Sequence, residues 1–367
     1  MKRLAIVLTA ALVLFCGACG GETKPVAKVP EGIDYLFPEV EGYANYAPAI
    51  KDAGGKRYVF YTTNEQANTE GDVIAVRVGE KSGESWKFGE QSVLLRPESG
   101  RWDGTRVMSA DVVEGKFSYQ NQEYSKLMVY QANAVAAEKR FQIGLAVSNE
   151  WTSGWVRVGD KPFLAYDYEG YGDTFGVGNP SVFSVDGEGQ ILLFYSYGSA
   201  TVTCTRFVEA DLSDLAAPVL SGYITVAGEG LPLDGNPVAT VANADFKYDA
   251  ETQTVYMIKD GYPYATNAPQ TATKVEVAKV AVTDLYRAEC HWTRVVSTID
   301  GLDLEGWARV HSACLVSDGL GRIADPDTLE IGFTSNIAAK DESDKRYEFY
   351  SGLHAYTIPA QNREDWL

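Results

Sequence analysis

The chain has 367 residues, of which 32 are basic and 50 acidic, for a formal net charge of −18. So acidic a surface repels nucleic-acid phosphates and anionic lipid headgroups, which excludes both as expected partners. The 22 Tyr and 7 Trp residues favour strands, and clustered aromatics also suit the faces of sugars.

The chain opens with Met1, Lys2 and Arg3, then an apolar run from Leu4 to Phe15 broken only by Thr9. Small residues Gly17 and Ala18 follow, and then Cys19. This order of charge, apolar run and small residues is that of a secretion signal over residues 1–18, and it is too short for a stop-transfer helix. The junction resembles the lipobox of bacterial lipoproteins, although Cys16 stands where that motif usually has Leu. The resemblance implies cleavage before Cys19 and a diacylglycerol anchor on it, in the cell envelope at the outer membrane or cell surface. The alternative is a secreted protein cut near Gly20. Residues 19–32, polar and rich in Gly and Pro, read as a flexible tether. Losing Lys2 and Arg3 takes the basic count from 32 to 30 against 50 acidic, a net charge of −20. No later apolar run reaches membrane-spanning length. Three cysteines remain, Cys204, Cys290 and Cys314, so at most one pair forms, and their spacing matches no zinc motif.

Helical periodicity is nearly absent over 33–367. Short alternating or apolar runs recur between Gly, Asn and Asp turns, which predicts an all-β domain. A pattern returns roughly every 65 residues: a small-residue strand, a turn, then an aromatic-rich strand and two more. The copies read YAPAIKDAGGKRYVFYTTN from Tyr46, SADVVEGKF and KLMVYQ from Ser109, and GNPSVFSVDGEGQILLFYSYG from Gly178. The last two read NADFKYDAETQTVYMIKDG from Asn243, and HSACLVSDGLGRI with LEIGFTSN from His311. Five such sheets packed radially bury one another's faces, with small residues at the crowded axis: Ala47, Ala110, Ser181 and Ala244. The expected fold is a five-bladed β-propeller, closed by the segment near Tyr35 or by the last strand, FYSGLHAYTI. The competing arrangement is a pair of β-sandwiches.

These strand pairs resemble the five-bladed propeller glycosidases, family 43 glycoside hydrolases and their relatives in families 32, 62 and 117. The resemblance implies three carboxylates about the axis: a base in a first-blade D-P, a tuning Asp in a second-blade A-P-D-V, and an acid in a third-blade E-G-P. Aligned here are Ala47-Pro48, which lacks the base, Ala110-Asp111-Val112, which keeps the tuning Asp, and Gly178-Asn179-Pro180, which lacks the acid. Ala and Gly cannot transfer protons. The reading is therefore a glycosidase-like propeller that binds carbohydrate in its axial pocket with degenerate or altered catalysis.

The candidate site comprises Asp111, with Asp103 and Asp173 as rim carboxylates able to serve a relocated acid–base pair. Arg106, Asn179, Asn243, Trp102, Trp307 and His311 are candidate sugar contacts, amides to read hydroxyls and aromatics to stack. Each rim Asp reads first as a turn residue capping a backbone N–H. Asp111, Asn179, Arg106 and His311 are expected to converge on one pocket. The resemblance leaves room for a calcium ion near the axis, beside a fifth-blade His. No other cofactor is expected, and the chain is expected to be a monomer. The rival functions are an active hydrolase with relocated carboxylates and a surface interaction propeller.

Overall fold

Runs such as QILLFYSYG are apolar on both faces, so they are stable as strands only when covered from two sides. A computed structural model shows how this is met. It describes residues 33–358 apart from 38–41, 68, 70, 136–139, 167–174, 200–201, 229–240, 242, 265–271, 288–289, 301–306 and 338–350. Cys19, the leader and the tether lie outside the described residues.

The chain enters through a short strand, β1 (Ile33–Tyr35). Blade 1 holds β2 (Tyr46–Ala53), β3 (Lys56–Asn64) and β4 (Asp72–Ser82), with β5 (Ser85–Phe88) and β6 (Ser92–Leu95) both on the outer side of β4. Blade 2 runs outward through β7 (Arg106–Tyr119), β8 (Gln122–Asn133), β9 (Gln142–Ser148) and β10 (Val156–Arg157). Blade 3 holds β11 (Gly176–Ser184), β12 (Gln190–Gly198) and β13 (Thr203–Asp211), with β14 (Val219–Leu220) and β15 (Ile224–Thr225) pairing along β13. Blade 4 is β16 (Ala244–Asp249), β17 (Thr254–Tyr264), β18 (Ala272–Ala281) and β19 (Thr293–Asp300). Blade 5 starts with β20 (Trp307–Leu315). After it, β21 (Ser317–Asp318) crosses to pair in parallel with β2. Then β22 (Leu329–Ile337) and β23 (Ser351–Ile358) complete the blade from the inside, and β1 is its outermost strand.

This is the expected five-bladed propeller. Ring closure uses both expected segments at once, because Ile33–Tyr35 pairs antiparallel with His354–Tyr356. The first and last described strands therefore share one sheet. The elements that escaped the sequence pattern include β5, which the short Gly83-Glu84 turn folds back onto β4, the two-residue strands β14 and β15 on β13, and the two-residue crossing strand β21. The tight hairpins are legible. Gly54-Gly55 joins β2 to β3 with both φ positive, at 58° and 74°. Gln120-Asn121 joins β7 to β8 in the same left-handed geometry, which suits two-residue hairpins.

Five hydrophobic clusters fill the five blade interfaces. Phe60, Ile74 and Val76 of blade 1 pack on Val107, Val112 and Met128 of blade 2. Val113, Leu127 and Val129 meet Val182, Leu193 and Tyr195 of blade 3. Phe194 stacks on Phe246 of blade 4 at 4.0 Å between ring centroids. Ile258 and Val277 meet Phe333 and Leu315 of blade 5, and Cys314 and Leu353 return to Ile50 and Tyr61 of blade 1. Cys204, Cys290 and Cys314 are buried thiols within this frame.

Candidate functional site at the propeller axis

The inner strands share one irregularity. Ala47, Ser109, Asn179, Asn243 and Ser312 each adopt a positive φ, between 46° and 50°. A non-glycine residue there carries strain of order 1–3 kcal/mol and persists only where surrounding contacts enforce it. The contacts are the same in every blade. The N–H of Ser109 donates to Thr62 Oγ1 of blade 1 at 2.8 Å. That of Asn179 donates to Gln131 Oε1 of blade 2 at 2.7 Å, and that of Asn243 to Ser196 Oγ of blade 3 at 3.1 Å. Ser312 donates to Asp260 Oδ1 of blade 4 at 2.8 Å, and Ala47 to Thr334 Oγ1 of blade 5 at 3.1 Å. Each kink is thus held by the second strand of the preceding blade, and the five bonds run around the axis.

A second ring lies two residues further along. Asp111 Oδ2 accepts the N–H of Val182 at 2.8 Å, Ser181 Oγ that of Phe246 at 2.8 Å, and Asp245 Oδ2 that of Leu315 at 2.8 Å. Ala49 and Cys314 hold the equivalent positions in blades 1 and 5. At the first gap Asp111 Oδ1 accepts the Val112 N–H of its own strand. The bulges between Met108 and Asp111, Gly178 and Ser181, and His311 and Cys314 put these third residues back in register.

Two lysines close the polar core. Lys51 Nζ lies 3.0 Å from Asp111 Oδ1 and donates to Ser317 Oγ at 3.1 Å. Lys247 Nζ lies 2.9 Å from Asp111 Oδ2 and 2.5 Å from Asp245 Oδ1. Ser181 Oγ also donates to Asp245 Oδ1 at 2.7 Å. Burial works against the Asp111 charge, but Lys247 and Lys51 outweigh it and hold the carboxyl down at about 2. The lysines respond in opposite directions. For both, burial is the largest influence and favours the neutral amine. With one adjacent carboxylate, Lys51 ends below its ordinary value, whereas Lys247, with two, ends above it.

Above this core the mouth of the axis holds a cavity of about 50 Å³ lined by Ala47, Pro48, Ser109, Asp111, Asn179 and Asn243, among others. Pockets that enclose a whole ligand run to roughly 300–1,000 Å³, so the described residues by themselves form a dimple at the mouth. Asn179 Nδ2 donates to Asn243 Oδ1 at 2.6 Å, and Asn243 Nδ2 to Asp260 Oδ2 at 3.2 Å. Burial raises the Asp260 carboxyl to about 7, against the bonds from Ser312 and Asn243.

The structure therefore brings together Asp111, Asn179 and Asn243, while Arg106 and His311 do not line the cavity. Arg106 faces Asp72, with Nε at 3.8 Å from Oδ2. His311 engages both ring nitrogens, Nε2 with Asn336 Oδ1 at 2.7 Å and Nδ1 with Ser312 Oγ at 2.9 Å. Burial lowers its pKa to about 4, so the ring is neutral at neutral pH. Asp103 is not at a rim. It is fully buried, with Oδ2 accepting from Arg157 Nε at 2.6 Å and Tyr130 at 3.0 Å, and Oδ1 from Arg101 Nε at 3.2 Å. It pins the segment before β7 to the outermost strand of blade 2. Trp102 packs inside the same blade, stacked on Tyr130 at 5.9 Å. Asp173 and the Trp307 side chain lie outside the described residues. The slot at the aligned acid position is filled, because a Cβ added at Gly178 would collide with the Gln131 side chain. The sequence reading missed Asp245, Gln131, Asp260, Lys51 and Lys247. Asp245 alone had a visible signal, since Asn243-Ala244-Asp245 repeats the frame of Ser109-Ala110-Asp111.

Among the described residues, Asp111 and Asp245 leave no place between them for a calcium ion. All four oxygens of Asp111 and Asp245 already accept from lysines, Ser181 or backbone N–H groups. Among the described residues no group of three His, Cys, Asp or Glu side chains is placed to hold a metal.

No family model matches the sequence, and no curated protein matches it either. Solved structures do match the fold. An α-L-arabinofuranosidase from Lactobacillus brevis aligns with a TM-score of 0.56 at 7% identity, over 85% of this chain and 90% of its own. A GH43_1 enzyme from Xanthomonas citri complexed with xylose gives 0.54 at 13% identity, over 88% and 90%. A GH43 β-xylosidase/α-arabinofuranosidase from a compost metagenome, in a calcium-free form with xylotriose, gives 0.53 at 12% identity, over 89% and 93%. The chain has the fold of the five-bladed propeller glycosidases, along nearly its whole length.

Proposed function

We propose that this is an exported lipoprotein, anchored through diacylglycerol on Cys19, whose propeller binds carbohydrate at the mouth of its axis without hydrolysing it. One observation carries the reading. The residues that the five blades present at their axial kinks are Ala47, Ser109, Asn179, Asn243 and Ser312, one methyl, two hydroxyls and two amides, with no carboxylate among them. Glycoside hydrolysis needs an acid and a base flanking the bond. Asp111 is bound by two ammonium groups, and Gln131 fills the space at Gly178. Amides both donate and accept, so Asn179 and Asn243 can still read sugar hydroxyls. The fold's likeness to pentose-processing enzymes makes xylo- and arabino-oligosaccharides the first ligands to try.

The test is a panel of these oligosaccharides and aryl glycosides, followed by calorimetry and by turnover. Binding without turnover is expected, with Asn179→Ala weakening it about tenfold, or about 1.4 kcal/mol. Turnover by the wild-type protein, or no glycan binding at all, refutes the reading. Anchoring is tested separately by fatty-acid labelling. Label is expected on the wild-type chain and lost in Cys19→Ala.

A further inference from the structure

The polar core beneath the mouth is built like a cation site with the cation supplied by the chain. Lys247 Nζ sits among oxygens only: Asp111 Oδ2 at 2.9 Å, Asp245 Oδ1 at 2.5 Å and Ser181 Oγ at 3.4 Å. Lys51 Nζ takes the other side of Asp111 at 3.0 Å, with Ser317 Oγ at 3.1 Å. Carboxylate and hydroxyl oxygens are the donors that hard divalent ions such as calcium prefer. Two ammonium groups against two carboxylates give a neutral set, the same balance that one divalent ion gives alone. All four charged side chains are buried, so neither sign is tolerable there without the other.

We propose that Lys51 and Lys247 together stand in for one divalent cation at the axis, which makes this propeller independent of metal, and that removing both ammonium groups turns Asp111 and Asp245 into a divalent-cation site. The lysines reach the axis from different blades, Lys51 on β2 and Lys247 on β16, so each ties its own inner strand to Asp111 of β7. The lysines also give the Asp111 carboxylate a partner in a chain whose other aligned catalytic positions are Ala47 and Gly178. The inference concerns the core below the mouth and does not rest on sugar binding.

The test is thermal unfolding of the full mature chain, followed by circular dichroism, in chelator and in millimolar calcium. The wild type should melt at the same temperature in both. The double variant Lys51→Ala/Lys247→Ala should melt many degrees lower in chelator, or fail to fold there, and regain several degrees or its fold with calcium. Adding Asp245→Asn to that variant should abolish the recovery. The single variant Lys247→Ala, which leaves one excess negative charge, should respond to calcium less than the double variant. Terbium luminescence gives a second readout, expected for the double variant and not for the wild type. A wild-type melting temperature that falls in chelator and recovers with calcium overturns the proposal. So does a double variant that is indifferent to calcium, or one that stays unfolded in its presence.

Discussion

Both oxygens of Asp111 serve the frame, one facing Lys51 and the other facing Lys247 and the Val182 N–H. Breaking a buried pair by removing one partner typically costs about 3–5 kcal/mol, because the opposite charge is left uncompensated. Asp111→Ala should therefore destabilise the protein by about that much in chemical denaturation. An Asp that merely tuned a catalytic acid would instead leave stability nearly unchanged, and that result would restore the catalytic reading. Asp260 gives a prediction in pH. Its carboxyl is raised from an ordinary 3.8 to about 7, chiefly by burial. Stability from the protonated form is fully present below the unfolded value and is lost as pH rises towards 7. Asp260→Asn removes that loss, and the Asn243 and Asn179 amides can reverse to meet the new N–H₂. The melting temperature of Asp260→Asn relative to wild type should rise between pH 5 and pH 8. His311 titrates in an overlapping window with the opposite sign, and it cancels in the difference because both proteins carry it. Burial depresses it to about 4, so its contribution is present above its unfolded value near 6.5 and is lost as pH falls towards 4. A mutant-minus-wild-type difference that is flat across pH 5–8 would show that the Asp260 carboxyl is not raised into this range.

The inner strand of each blade depends on the second strand of the blade before it. Thr62, fully buried on β3, accepts the N–H of Ser109. Thr62→Val keeps the shape and removes the acceptor, leaving a buried donor unmet at a cost of about 1–3 kcal/mol. Hydrogen exchange at the Ser109 amide should rise with it. An unchanged exchange rate would mean that the ring bond does not hold the kink. These elements also show what could be read beforehand. The hairpin at Gly54-Gly55, the small residues at Ala47, Ala110 and Ala244, and the aromatic second strands all follow from local periodicity and turn chemistry. Lys51 and Lys247 did not, because a lysine inside an apolar strand reads as the outward member of an alternation. Only closure of the ring turns their strands towards the axis. Asp103 misled for the opposite reason. Its WDG setting is that of a turn, and nothing local records that Arg157, far along the chain, folds back to bury it.

The whole ring is closed by its first strand. β1 forms the outer edge of blade 5 through three residue pairs with β23, and Leu36 N donates to Leu353 O at 2.9 Å. The two residues after it, Leu36 and Phe37, are nearly fully buried, at 6% and 5% exposure, against Ile50, Tyr61 and Leu353. The Phe37 ring also lies 5.1 Å from Tyr61 and 5.9 Å from Phe88, and the Tyr35 ring lies 4.4 Å from His354. Burying a leucine and a phenylalanine contributes about 3–6 kcal/mol together. In the proposed lipoprotein this closing strand directly follows the tether, so a pull on the anchor reaches β1 before any other element. Antiparallel pairing with the C-terminal strand spreads such a load over the hydrogen bonds of the pair. Two truncations separate tether from closure. A soluble form beginning at Gly32 should melt like one beginning at Gly20, because the intervening tether is polar and rich in Gly and Pro. A form that also lacks Ile33 through Phe37 should melt several degrees lower, with blades 1 and 5 losing hydrogen-exchange protection first. If all three forms melt together, with equal protection of β23, then β1 does not close the ring.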